Sequence, residues 1–392
     1  MPTRFVITEA RPDPPENAVE LCEHKGIGHP DTICDGAAEA ASCALARAYL
    51  DAYGTVQHYN VDKALLIGGE SAPRFGGGRT VTPMRLIICG RATTLPQADV
   101  TSLIRSAVRD HLATTLHCDP NLFAIEAVVR SGSPNLVRVI GSAAATTRVN
   151  DTSIGAGFAP WSYLESSVLH LADVLRSEEF RSHFPVVGDD YKVMGSRYND
   201  EITLTVALAF VDREVTSVAH YFVLKARMLE YLQQCTGSSV RIVLNALDDP
   251  AAANETGVYL TVTGLSAEHG DDGQVGRGNR VGGLITPHRT MSMEAAAGKN
   301  VVAHAGKLYN VLAFEIARAV VAAEADVSQV SVQILSTIGD PITAPTLIAM
   351  RLCTSAGVKE GLSRRAREIA QRELEQIDEL STRIIRGGIR LF

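Results

Sequence analysis

Long apolar runs are missing from this chain of 392 residues, and that absence already narrows what it does. No uninterrupted apolar stretch reaches the ~18 residues that a membrane-spanning helix needs. The opening residues, M-P-T-R-F-V-I-T-E-A-R-P, lack the apolar core of a signal peptide. Paired cysteines are missing as well. The seven cysteines, at 22, 34, 43, 89, 118, 235 and 353, are odd in number and never spaced Cys-x-x-Cys. That pattern argues against a disulfide frame or zinc site and fits reduced thiols in a cytoplasm, most of them small core residues. Excess positive charge is absent, the formal net being −7. A general nucleic-acid or anionic-membrane binder is disfavoured, and a local basic site for a small anion fits better.

The familiar nucleotide motifs are absent too. Gly298-Lys299 has Met293 and Asn300 where a P-loop needs glycine and Ser or Thr. Gly276-Arg277-Gly278 is followed by glycine at 282, one residue late for a dinucleotide fingerprint. No G-x-S-x-G or H-E-x-x-H occurs. What is present is an ordinary globular composition, 46% apolar and 21% charged, with length for two or three domains.

The chain is organised around residues 263–310, which hold nine glycines among Asp271, Asp272, Arg277, Arg280, Arg289, Lys299 and Lys307. Glycine lets backbone approach a ligand closely, and successive N–H groups in such turns cradle phosphate oxygens. Arginine and lysine supply the charge that a polyphosphate needs. The acidic pair offers hard oxygen ligands for magnesium. A second glycine-punctuated stretch, residues 20–36, ends in His29-Pro30-Asp31 before an alanine-rich helix. Proline suits the first turn and Asp31 its positive end, so His29 and Asp31 face the place where an anion would sit. A plain helix cap suits the same spacing equally well.

Periodicity predicts strands over 5–8, 59–69, 83–89, 123–130, 136–140, 201–210, 240–246, 258–264 and 331–338. It predicts helices over 33–50, 95–116, 162–177, 218–234, 306–323 and 359–385. Two or three strands thus alternate with a helix three times over, which suggests three α+β units, each a sheet with helices on one face. The expected divisions are 1–148, 149–264 and 265–392, with segments open to exchange. Asp62 and Lys63 open one strand. Asp190 and Lys192 share a face just before another, which a solvent-exposed ion pair would also explain.

These motifs together resemble the S-adenosylmethionine synthetases (methionine adenosyltransferases) of the archaeal type, over nearly the whole length. The resemblance is carried by G-I-G-H-P-D-T-I-C-D-G (26–36), F-G-G-G (75–78), G-R-A-T-T (90–94) and N-D-T-S-I-G-A-G-F-A-P (150–160). It continues in V-G-D-D-Y-K-V-M-G (187–195), L-N-A-L-D-D-P (244–250), the loop 263–310 and the terminal I-R-L-F. It implies three similar α+β domains about a pseudo-threefold axis. It also implies a two-step reaction: methionine sulfur attacks C5′ of ATP, displacing triphosphate, which is then cleaved to phosphate and pyrophosphate. A thioether has no proton to lose, so no general base is needed, and catalysis rests on positioning and electrostatics.

By matching motif, His29, Lys192, Arg277 and Lys299 look like the groups that hold the triphosphate, and Asp31 looks like a magnesium ligand. Asp151 and Asp271 look like carboxylates that orient the substrates, with Asp190, Asp62, Lys63, His304 and Lys307 as further substrate neighbours. The family implies magnesium, often potassium, and a homodimer or dimer of dimers with active sites between subunits. Departures from the family's pattern are Val301 for proline, Asn135 for aspartate, and Asp340 where relatives often carry lysine. The same resemblance would also suit altered nucleotide or thioether specificity, or a silent regulatory homologue. Replacing Lys299 by alanine is expected to lower kcat far more than stability.

Overall fold

The computed structural model describes residues 3–10, 18–134 and 147–392. The expected strand at 136–140 and the departure at Asn135 lie outside the described residues. In chain order the strands are β1 (Arg4–Glu9), β2 (Val19–Lys25), β3 (Tyr59–Ile67), the hairpin β4 (Glu70–Ala72) and β5 (Arg79–Thr82), β6 (Met84–Ala92), β7 (Phe123–Arg130) and β8 (Ile154–Ala159). They continue with β9 (Val187–Tyr198), β10 (Glu201–Val211), β11 (Val240–Leu244), the short β12 (Leu260–Thr261) and β13 (Gly273–Gln274), β14 (Val327–Leu335) and β15 (Leu347–Thr354). The helices are α1 (Pro30–Tyr53), α2 (Val100–Thr115), α3 (Tyr163–Arg176), α4 (Glu178–His183), α5 (Val218–Thr236), α6 (Ala305–Ala323), α7 (Glu360–Glu375) and α8 (Ile377–Ile385).

Three mixed sheets carry the fold. The first orders its strands β1-β15-β14-β8, the second β11-β10-β9-β2 with β12 beside β10, and the third β13-β3-β6-β7. Each sheet therefore draws strands from distant parts of the sequence, β1 pairing in parallel with β15 from Arg4↔Leu347 to Glu9↔Leu352. Helices cover one face of each: α6 on the first, α3 and α5 on the second, α1 and α2 on the third. The other faces keep apolar side chains in solvent, such as Val6, Leu21, Leu65 and Val128. One core joins the first and third sheets, from Tyr49 and Leu66 to Phe314 and Leu374. A second lies under the second sheet around Leu204, Phe210 and Tyr221. Among the described residues no helix is long and apolar enough to cross a membrane.

Local chemistry explains where elements begin. Asp99 accepts the Ser102 N–H at 2.8 Å, so α2 starts at Val100 rather than at 95. In α3 the Ser162 hydroxyl and the Glu165 carboxylate cap each other's backbone, a capping box. The final helical pattern buries Leu362, Ala366, Ile369, Ala370, Leu374, Ile377, Leu380 and Ile384, every expected apolar position. Yet the helix is broken at Gln376, whose ψ of 13° ends α7 and starts α8.

Candidate active site

The stretch before α1 is fixed by its close approach to β9. Gly26 N–H donates to the Tyr191 carbonyl at 2.7 Å and Gly28 N–H to that of Asp189 at 2.9 Å. A Cβ on Gly28 would lie 2.5 Å from the Asp189 backbone, so only glycine permits this seat. The chain then turns into α1 with His29 as N-cap, its Nδ1 accepting the Asp31 N–H at 3.2 Å. Burial, followed by the neighbouring Lys25, pulls the His29 pKa down to about 4. A neutral ring with Nδ1 accepting carries its hydrogen on Nε2, as a donor.

His29 lines a cavity of about 940 Å³ together with Asp190, Lys192, Tyr259, Ser266 and Asp271. Alternation along β9 sends Asp190 and Lys192 to this face and Asp189 to the other. There Asp189 binds Arg181 at 2.6 Å and His117 at 2.8 Å. Burial pushes the Asp190 carboxyl up to about 6, although the Ser266 N–H donates to it at 2.9 Å. Asp271 is exposed and accepts the Ser266 hydroxyl at 2.9 Å. The ion pairs of the described residues include none to Lys192.

A second cavity, of about 840 Å³, shares no lining residue with the first. It gathers Asp62, Lys63, Asp151, Glu294, Lys299 and His304. Here the two lysines are already paired. Lys299 Nζ lies 2.9 Å from Asp62 Oδ2 and 3.4 Å from Glu294 Oε2, and Lys63 Nζ lies 2.8 Å from Asp62 Oδ1. Burial raises the Asp62 pKa, but the two lysines, Lys299 foremost, outweigh it and bring it down to about 2. Gly298, at φ +76°, lets the chain lie against β3, where the Val61 N–H donates to its carbonyl at 2.9 Å. His304 caps α6, its Nδ1 accepting the Gly306 N–H at 3.1 Å, and its Nε2 lies 3.6 Å from Asp151. Burial, then Lys299, lowers the His304 pKa to about 3.

The remaining expected residues line neither cavity. Asp31 accepts the Gln274 N–H at 2.9 Å on Oδ1 and Lys25 Nζ at 2.8 Å on Oδ2. Arg277 is exposed, and its carbonyl accepts Lys25 Nζ at 2.8 Å. Lys307 is fully buried between α6 and α1, at 2.6 Å and 2.8 Å from the Glu39 carboxylate. That pairing accounts for its burial, since a buried unpaired charge would be prohibitive.

Sequence reasoning passed over several residues that the structure brings to these places. Asp35, one helical turn after Asp31, accepts the Gly276 N–H at 2.9 Å, so two carboxylates of α1 hold the glycine-rich loop. Burial lifts the Asp35 pKa to about 7. Spacing of four on a helix was the available signal. His58, Asn60 and Asn150 line the 840 Å³ cavity with buried ring-nitrogen or amide-oxygen atoms that have no partner among the described residues. Nothing in the sequence context of His58 or Asn60 marks them, whereas Asn150 opens the 150–160 motif.

Among known proteins, a sequence model of the S-adenosylmethionine synthetase (AdoMet synthetase) family matches residues 5–388. The S-adenosylmethionine synthase of Pyrococcus furiosus is 43% identical to the chain, the match covering 100% of each. That of Aeropyrum pernix is 41% identical, covering 99% of this chain and 100% of its own. A solved structure described as an unusual S-adenosylmethionine synthetase from Campylobacter jejuni aligns with a TM-score of 0.62. It covers 93% of this chain and 89% of its own at 15% identity, a likeness of fold alone.

Proposed function

The chain belongs to the S-adenosylmethionine synthetase family and is a methionine adenosyltransferase, and from that premise we propose how its own residues share the work. It forms S-adenosylmethionine from ATP and L-methionine, sulfur attacking C5′ and displacing triphosphate, which is then hydrolysed to phosphate and pyrophosphate. The observation that carries the division of labour is the pair of separate cavities, each holding part of the cation and carboxylate set.

In the 940 Å³ cavity, His29 donates from Nε2 to the departing triphosphate and Lys192 neutralises it, while Asp190 and Asp271 orient donor groups of the substrates. In the 840 Å³ cavity, Lys299 and Lys63 face phosphate oxygens, and Asp151 with His304 borders the nucleoside. Charge builds on the leaving oxygen as the C–O bond breaks, so fixed donors aimed there lower the barrier. Arg277, on the loop between the two sets, reaches the same phosphates.

The two sets are brought together by a second copy of the chain, the 940 Å³ cavity of one subunit facing the 840 Å³ cavity of the other. Unpartnered apolar side chains on the open sheet faces support such a homodimer. Among the described residues no group of three His, Cys, Asp or Glu side chains is set to hold a metal, so an all-protein cage does not fit. Magnesium, which keeps several waters and takes one or two carboxylates plus substrate phosphates, does fit. Asp271, exposed in the 940 Å³ cavity, would hold the ion, which when bound would neutralise charge on the triphosphate. Asp31 would join it only by giving up Lys25, since its two oxygens are taken by the Gln274 N–H and Lys25 Nζ. Free thiols at all seven cysteines support a cytoplasmic setting.

The test is mass spectrometry of purified protein with magnesium, methionine and each of ATP, GTP, CTP and UTP, with and without potassium. The expected outcome is sulfonium product from ATP, with phosphate and pyrophosphate released together. Product formed chiefly from another nucleotide would overturn the base preference.

A further inference from the structure

The terminal Ile-Arg-Leu-Phe has no part in the chemistry above, yet it ends beside the loop that carries Arg277. Leu391 is buried in the main core, with Ile389 and Phe392 packed against the same cluster. The tail therefore has a fixed seat. From it the Arg390 guanidinium lies over the turn at Gly282 and Gly283, both with positive φ, +98° and +92°. A Cβ on Gly283 would come within 3.1 Å of Arg390 Cζ and Nε, so glycine at 283 makes room for this contact.

His24 links the two. It is buried, and burial lowers its pKa to about 4, so the ring is neutral. Nδ1–H donates to the Gly283 carbonyl at 2.6 Å, which leaves Nε2 as an acceptor, and Arg390 Nη2 stands 3.4 Å from it. The same turn is closed internally by Gly283 N–H to the Arg280 carbonyl at 2.8 Å and Arg280 N–H to the Leu284 carbonyl at 3.0 Å. On its other flank it is sewn to β2. Glu23 and Ile285 exchange backbone hydrogen bonds of 2.9 Å, and the Asn279 side chain bonds Lys25 N–H and carbonyl at 2.9 Å and 2.8 Å. Arg277 lies two residues before Asn279, so its backbone position is set by this frame.

We propose that Arg390 is a positioning residue: through His24 it holds the 280–284 turn, and thereby keeps Arg277 where the triphosphate is bound. The inference rests on the reading of Arg277 as a phosphate ligand. A misplacement of ~1 Å in a positioned group costs up to about 100-fold in rate, which is the scale at stake.

The experiment compares wild type with Arg390→Met, which keeps the stem but removes the guanidinium, with Arg390→Lys, with Arg277→Ala and with the double variant Arg390→Met/Arg277→Ala. The expected result for Arg390→Met is a fall in kcat on the order of 10- to 100-fold, with Tm held and partial recovery in Arg390→Lys. The double variant is expected to be no slower than Arg277→Ala alone, because Arg390 acts through Arg277. A second readout needs no activity: trypsin should cut after Arg277 and Arg280 faster in Arg390→Met than in wild type. Multiplying losses in the double variant, or unchanged kcat and cutting rates in Arg390→Met, would overturn the proposal. A wild type that makes no sulfonium would instead refute the phosphate-binding reading beneath it.

Discussion

The two cavities solve the same electrostatic problem in opposite ways. Lys299 is already matched, by Asp62 and Glu294, and sits almost wholly out of water. Around Lys192 the carboxylates stand off: Asp190 is half-neutral near pH 6 and Asp271 is bound to a serine hydroxyl. A matched lysine is held rigidly but must share its protons with incoming phosphate. An unmatched one is free to take the full charge of the ligand, yet adds nothing to folding. The comparison separates residues that serve both stability and binding from those that serve binding alone.

Substituting the two lysines should show the contrast most strongly. Lys299→Ala is expected to lose about 3 kcal/mol of stability, because Asp62 is left buried with only Lys63. It should also lose on the order of 10²–10³ in kcat. From sequence the expected loss is far larger in kcat than in stability; the buried Asp62 that the substitution leaves behind brings the two losses closer together. Lys192→Ala should show a similar kinetic loss with no change in unfolding midpoint. Denaturant melts and steady-state kinetics on both variants check this, and equal destabilisation would erase the distinction.

A smaller effect sharpens the matched side. The folded pKa of Asp62, about 2, is depressed below the ordinary value. Its contribution, on the order of 2 kcal/mol, is fully present above roughly pH 4 and is lost as pH falls through 2. Asp62→Asn should therefore destabilise at pH 7 and converge with wild type near pH 2 in stability measured against pH.

The smallest effect concerns Asp340, which lines neither cavity and donates its N–H to Thr337 while its carbonyl accepts from Val149. Asp340→Lys should leave kcat/KM within about twofold. A larger change would give that loop a place in substrate binding.

Most helices were legible because their apolar period and caps are local properties. The break at Gln376 was not, since the buried positions run through it without a skipped turn. Strands β2, β8, β9 and β15 do not show in the periodicity. β8 and β9 are rich in glycine or charge because they face a helix closely or line a cavity, and such residues mask alternation. Of the site, the charged types and the turns were readable. What could not be read was pairing at long range, such as Lys307 with Glu39 or Lys299 with Asp62. The run A-G-K-L-Y-N-V-L-A-F around Lys307, apolar on all sides, was the one hint that this lysine would be enclosed.

The parallel pairing of β1 with β15 has a consequence for how the protein is made. The six residues of β1 leave the ribosome ahead of the other strands, but their partner strand is more than 330 residues behind them, from Leu347 to Thr354. At ~5–20 residues per second, the first sheet's edge stays open for tens of seconds while the second sheet has all its strands in hand. Folding of this enzyme therefore closes in an order set by translation, the sheet begun first being completed last.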